Sequence, residues 1–236
     1  MPSNRDQLKQ AAAQAAVAQI ASGMVVGLGH GSTTHFALVR LAELLAAGQL
    51  TEVLGVPCSQ EVAKEAAVLG IPLTSLAEHP LIDLTIDGAD EVDPGLNLIK
   101  GGGGALLREK MVAQASRREV IIVDESKLSP CLGTNWAVPL EVVEFGWQSH
   151  LGFLKDLGGK ATLRRGRERK PFRTDQENFI LDCSFGPIAD PTELAARLEK
   201  RAGLVEHGLF IGLAHEVIIA GHGGVRSLKN PKEKGP

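Results

Sequence analysis

The strongest constraint on this chain is a repeated order in its first half: a short apolar run, a glycine turn, then a segment of helical periodicity. Met24-Val25-Val26-Gly27-Leu28 reads as a buried strand, a glycine turn follows, and an apolar helix runs from about Thr34 to Ala47. Val53 to Cys58 repeats the strand, Gln60 to Leu69 the helix, Gly70 stops it, and Ile71 to Leu73 reads as another strand. Leu81 to Ile86, a helix over 105–117 and the fully apolar Val120 to Val123 continue the series. Such alternation predicts an α/β fold in which a parallel, Rossmann-like sheet is flanked by helices. Ahead of it, Ser3 and Asp6 form a capping-box pattern that opens an alanine-rich helix to about Ala21, ended by Gly23.

After about residue 130 the pattern changes. A helix from about Trp147 to Leu157, strands near 160–165 and 178–185, and Asp190-Pro191-Thr192-Glu193 at a helix start describe a smaller α+β part. Near residue 209 short apolar strands return, among them Val217 to Ala220, with the spacing to rejoin the first sheet. The expected organisation is therefore a main domain of 1–130 plus 209–236 and a smaller domain of 131–208. Ser227 to Pro236 reads as a loose tail.

Composition narrows the function. With 236 residues a core is affordable to build without disulfides, and 25 Lys+Arg against 28 Asp+Glu leave a charge of -3. No global positive field exists to hold nucleic acid or an anionic membrane. Seven Phe, two Trp and no Tyr offer few base-stacking rings. No run approaches the ~18 apolar residues of a membrane span. The uncharged stretch from Ala11 to Gly29 is broken by Gln14 and Gln19 and preceded by Asp6, which argues against a secretory signal. Cys58, Cys131 and Cys183 are widely spaced and odd in number, as expected of reduced cytoplasmic thiols. Between Lys160 and Arg173 lie seven basic residues (Lys160, Arg164, Arg165, Arg167, Arg169, Lys170, Arg173) against Glu168 alone, which reads as a solvated surface around a hairpin turn.

The 27 glycines exceed the roughly 17 of average usage, and they gather where ligands would sit. Gly27-Leu28-Gly29-His30-Gly31-Ser32-Thr33 joins a strand to a helix, where exposed amides favour a small anion. It is not a dinucleotide fingerprint, because Ser32 stands where the third glycine belongs, nor a P-loop, because no Gly-Lys-Ser/Thr follows. Lys100-Gly101-Gly102-Gly103-Gly104 precedes the next helix; four successive glycines weaken a fold, so their expected use is close approach of amides to a substrate beside the Lys100 charge. On that helix Glu109 falls between Ala105 and Ala113, with Leu106 and Val112 beside it, on an apolar stripe. A carboxylate withdrawn from water accepts a proton from carbon better than an exposed one, although an acid in a first helical turn also complements the helix dipole. Asp87 and Asp90 close a buried strand, where parallel sheets present ligand groups. Their spacing suits sugar hydroxyls or proton shuttling better than a metal, since His215-Glu216 lacks the second histidine of a zinc motif and the seven histidines are scattered.

Taken together, Gly29-His30-Gly31-Ser32-Thr33, Asp87-Gly88-Ala89-Asp90-Glu91, Lys100-Gly101-Gly102-Gly103, Arg108-Glu109-Lys110 and the segment from Asp124 to Lys127 closely resemble the A-type ribose-5-phosphate isomerases. Order and spacing match over nearly the whole chain. The resemblance implies interconversion of D-ribose 5-phosphate and D-ribulose 5-phosphate through an enediolate, in the pentose phosphate pathway, with no metal or organic cofactor. It implies Glu109 as the base, Lys100 with glycine amides at the oxyanion, and Asp87 and Asp90 on the sugar hydroxyls and in ring opening. It places the substrate against His30, Gly31, Ser32, Thr33, Asp87, Gly88, Ala89, Asp90, Lys100, Gly101, Gly102, Gly103 and Lys127, with Lys9 a further phosphate candidate. It also implies a homodimer or homotetramer, while the charge balance and the cysteines make the cytoplasm the expected compartment, with neither nucleic acid nor membrane as partner. His30 departs from the threonine usual in that family. Two other readings remain on such a fold: a sugar-phosphate sensor, which would want a helix-turn-helix before the sheet, and a deaminase or coenzyme A transferase.

Overall fold

A computed structural model describes residues 4–230, apart from the side chains of Asn4, Arg5 and Arg167. Ser3 of the expected capping box and 231–236 of the expected tail lie outside the described residues. The chain separates into two compact units: one built from the residues up to 89, 108–127 and those from 212 on, the other from 90–107 and 128–211.

The first unit carries α1 (Asn4–Val17), β1 (Val25–Leu28), α2 (Thr34–Ala46), β2 (Leu54–Pro57), α3 (Gln60–Val68) and β3 (Leu84–Asp87). Its six-stranded sheet runs β13-β12-β6-β3-β1-β2, and the later strands are introduced below. Every pairing among β12, β6, β3, β1 and β2 is parallel. The core between sheet and helices follows the helical period: α2 buries Thr34, Ala37, Leu38 and Leu41. Helix α1 buries Ala12, Ala13, Ala16 and Val17, whose small side chains let it lie close to the sheet. Ser59 caps α3 by accepting from the Val62 amide at 3.0 Å. Ile71 to Leu73, expected as a strand, contributes only a bridge between Gly55 and Leu73.

The second unit holds β4 (Glu91–Val92), β5 (Leu98–Ile99), β7 (Val138–Val142), α5 (Ser149–Asp156), β8 (Lys160–Leu163), β9 (Phe179–Ser184), α6 (Pro191–Glu199), β10 (Leu204–His207) and β11 (Leu209–Phe210). Helix α4 (Leu106–Gln114) belongs to the first unit from Arg108 on, and β6 (Glu119–Asp124), β12 (Glu216–Gly221) and β13 (Gly224–Lys229) belong to the first sheet. Every strand pairing in the second unit is antiparallel, with one sheet ordered β10-β7-β9-β8 and a small one ordered β11-β5-β4. It has its own core, centred on Leu132, Leu140, Leu154, Leu181 and Leu198. Asp190 caps α6 by accepting from the Glu193 amide at 2.9 Å, with Pro191 at the first position.

Three expectations change. Residues 90–107 group with the smaller unit, because β5 pairs with β11 and β4 with β5. For the same reason Leu209 and Phe210 do not rejoin the first sheet, whereas Val217 to Ala220 do so beside β6. Ser227 to Lys229 are no loose tail but the end of β13, paired antiparallel with Glu216 to Ile218. Among the described residues no helix is long and apolar enough to cross a membrane. None of the three cysteines is in a disulfide, and burial pushes the Cys183 thiol up to about 12.

Candidate active site

Three parallel strands of the first unit deliver candidate residues to one sheet edge, the carboxyl end: β1 leads into 29–33, β3 ends in Asp87, and β6 leads through a 3-10 turn to Lys127. Asp87 is 1% exposed. Its Oδ1 accepts from the amide of His30 at 3.1 Å and from that of Gly88 at 2.7 Å, which ties the 29–33 loop to the acid. A side chain at Gly29 would land on Asp87, with its Cβ 2.5 Å from the Asp87 Cα. Gly31 takes a φ of 128°, open to glycine but not to ordinary residues.

At the start of α2, Ser32 is exposed and accepts from Lys9 Nζ at 2.8 Å, so two of the phosphate candidates meet. Thr33 occupies the cap position without a side-chain capping bond, and the Thr34 hydroxyl donates to the Gly31 carbonyl at 2.7 Å. His30, the departure from the family pattern, brings Nε2 within 3.3 Å of Glu61 Oε2 on α3. Lys127 is half-buried.

Glu109 lies in the first turn of α4 and is 4% exposed, on the stripe with Ala105, Val112 and Ala113. Gly27 allows α4 to approach β1, since a Cβ there would stand 2.8 Å from Val112 Cγ1. Lys110, part of the Arg108-Glu109-Lys110 motif but given no role from the sequence, is also buried.

In the second unit the Asp90 amide donates to Ile99 O at 2.8 Å, and Asp90 Oδ2 accepts from the Gly102 amide at 2.7 Å. Lys100, 2% exposed, donates its amide to Gly208 O at 2.9 Å and carries Nζ 5.4 Å from the centre of the Phe210 ring. Gly101 and Gly104 have φ of 97° and 89°, and the Gly104 amide donates to Gly101 O at 3.0 Å. The four glycines therefore form a set turn rather than a slack linker.

The brace on that turn was missed by the sequence reading. Arg164, taken with its neighbours as solvated surface, has a side chain only 14% exposed, and its Nη1 donates to Gly101 O at 2.9 Å and Gly102 O at 3.0 Å. Its other nitrogens hold Asp182, Nε to Oδ2 at 2.9 Å and Nη2 to Oδ1. Lys160, Arg165, Arg169, Lys170 and Arg173 are exposed as expected. The available signal was an opposite charge, Asp182, on the neighbouring hairpin strand. Among the described residues no three or more His, Cys, Asp or Glu gather as a group able to hold a metal ion.

The family described as Ribose 5-phosphate isomerase A (phosphoriboisomerase A) matches residues 54–224. The chain is 60% identical over 220 residues to the Ribose-5-phosphate isomerase A of Chloroflexus aurantiacus, covering 93% of this chain and 92% of the relative. A solved D-ribose-5-phosphate isomerase in complex with phospho-erythronic acid superposes with a TM-score of 0.94 at 38% identity, over 96% of this chain and all of that one. Ribose 5-phosphate isomerase A from Methanocaldococcus jannaschii gives 0.91 at 38% identity, over 96% and 100%.

Proposed function

This chain belongs to the ribose 5-phosphate isomerase A family, and from that premise we propose how its residues divide the work of the reaction. The activity is that of ribose-5-phosphate isomerase A, in the pentose phosphate pathway. The solved relative with phospho-erythronic acid bound supports a sugar phosphate as the ligand.

In this reading the open-chain aldose presents C2 to the Glu109 carboxylate, which takes the C2 proton. The electron pair moves into a C1–C2 double bond, and the C1 oxygen becomes an oxyanion. Lys100 and glycine amides stabilise that charge, which otherwise makes the proton too weak an acid to leave quickly at neutral pH. Glu109 then returns the proton to C1 while the C2 hydroxyl gives up its own proton and becomes the ketone. The oxygen at C1 gains a proton as that at C2 loses one, so the two sugars are isomers. Asp87 and Asp90 hold the hydroxyls and assist ring opening. Ser32, Thr33, Lys127 and Lys9 take the phosphate, and His30, Gly31, Gly88, Ala89, Gly101, Gly102 and Gly103 line the substrate.

One observation carries this: a carboxylate withdrawn from water in the first turn of α4, five residues after a loop of ordered glycine amides that begins with a buried lysine. Reduced cysteines favour the cytoplasm as the compartment, and a homodimer or homotetramer is the expected assembly. The test is turnover of ribose 5-phosphate in deuterated water. Solvent deuterium at C1 of the ribulose 5-phosphate is expected; product formed at full rate without it would indicate a hydride shift and remove the base.

A further inference from the structure

Within the second unit, the Arg164 side chain makes four hydrogen bonds, two to carbonyls of the glycine turn and two to the Asp182 carboxylate. We propose that Arg164, held by Asp182, is a positioning residue that aims the amides of Gly102 and Gly103. A trans peptide is planar, and its carbonyl and N–H point in opposite directions; all described peptides here are trans. Fixing the Gly101 carbonyl on the guanidinium therefore fixes the Gly102 N–H away from it, and that N–H meets Asp90 Oδ2 at 2.7 Å. By the same geometry, fixing the Gly102 carbonyl turns the Gly103 N–H away from Arg164. Gly103 is exposed, and among the described residues no protein group accepts from its amide. It is the donor left for an oxygen of the substrate.

The guanidinium is itself well located. Asp182 takes it in a two-pronged pair, and the Phe172 ring lies 5.8 Å from it. That ring also fills the space beside Gly104, where a Cβ would collide with it. Both ends of a turn made of the most flexible residue are thus fixed from the β8–β9 hairpin. A lysine could not replace this arrangement, because an ammonium lacks the planar fork that serves the carboxylate and two carbonyls at once.

This role rests on the reading of the glycine amides as oxyanion donors, and the experiment separates the two. Steady-state kinetics on ribose 5-phosphate are measured for Arg164→Ala, Arg164→Lys and Asp182→Asn, with Glu109→Gln alongside and thermal unfolding for each. Misplacing a donor by about 1 Å can cost ~100-fold in rate, so kcat should fall by about 10- to 100-fold, with KM changed less than about threefold. Millimolar methylguanidinium should restore part of the kcat of Arg164→Ala, an effect that a merely structural arginine would not show. Wild-type kcat in the folded Arg164 variants, or a loss that appears in KM alone, overturns the role. Should Arg164→Ala fail to fold, Arg164→Lys and Asp182→Asn decide by the same criteria. If Glu109→Gln loses turnover while the Arg164 variants keep it, only the bracing role falls; if Glu109→Gln keeps it, the underlying reading falls as well.

Discussion

The first unit presents its acids and its 29–33 loop from the ends of parallel strands, whereas the second presents a lysine and a row of amides from a turn that side chains tie down. In the first, Asp87, the 29–33 loop and Lys127 share an edge because β1, β3 and β6 run in one direction. Backbone topology does the placing, and glycines at 27 and 29 only remove obstacles. In the second, strands of two residues cannot place anything by themselves, and Arg164, Asp182 and the buried carboxylate of Glu91 hold the loops instead. Glu91 accepts from the amides of Gly133 at 2.8 Å and Asn135 at 2.9 Å. A parallel sheet fixes loops through a repeated ladder, while a small antiparallel unit needs individual polar contacts.

The largest effects should come from removing one proposed reacting group in each unit. Glu109→Gln is expected to lower kcat by roughly 10² to 10⁴, the usual worth of a positioned base. Lys100→Ala should lower it by about 10² to 10³, as for a lost oxyanion donor. In both, KM should change far less. A Lys100→Ala variant that loses affinity instead of turnover would break the comparison, because the second unit would then anchor the substrate rather than serve the chemical step.

Glycine substitutions give the next effect. Gly29→Ala forces a Cβ against the Asp87 backbone and should cost about 1–3 kcal/mol, with activity lost through Asp87. Gly152→Ala, in α5 of the second unit with nothing near its Cβ position, should stabilise by roughly 0.5–1 kcal/mol and leave kcat unchanged. Urea unfolding midpoints check both, and a neutral Gly29→Ala would show that the first unit is less tightly set than its strand ends suggest.

The smallest effects concern pH, and they belong to the second unit. Burial raises the Glu141 carboxyl above its ordinary 4.5, against hydrogen bonds from Asn178 and Thr174, and among the described residues Glu141 Oε2 has no hydrogen-bond partner. The folded chain then keeps a proton that the unfolded chain releases, so stability is full below 4.5 and falls as pH rises through the raised value. Burial, with the Arg201 charge, lowers His150 below its ordinary 6.5. There the unfolded chain binds the proton first, so stability is full above 6.5 and falls on acidification. Glu141→Gln should flatten the first slope and His150→Asn the second, in thermal unfolding followed from about pH 4 to about pH 8. Unchanged slopes would mean that these buried groups do not distinguish the second unit.

Legibility in the sequence followed length and locality. Val120 to Val123 and Val217 to Ala220 are apolar on both faces and were readable as central strands of a parallel sheet. The two-residue strands β4, β5 and β11 are too short for any period to show, so residues 90–107 were expected with the wrong unit. Strand β7 was missed because Pro139 and the buried Glu141 interrupt an otherwise apolar run. The seclusion of Glu109 was visible from its neighbours one helical turn away, whereas nothing local separated Arg164 from the exposed Arg165 beside it.

What the sequence determined by itself is the strand-loop-helix order, the glycines required at strand ends, and the acids and lysine proposed for the chemistry. These depend on periodicity and on residues within a few positions of one another. Only the tertiary structure decided which sheet claims residues 90–107 and which basic residue of the hairpin holds the glycine turn. Both are set by pairing between segments tens of residues apart, and that pairing depends on register and mutual burial, which no local pattern contains.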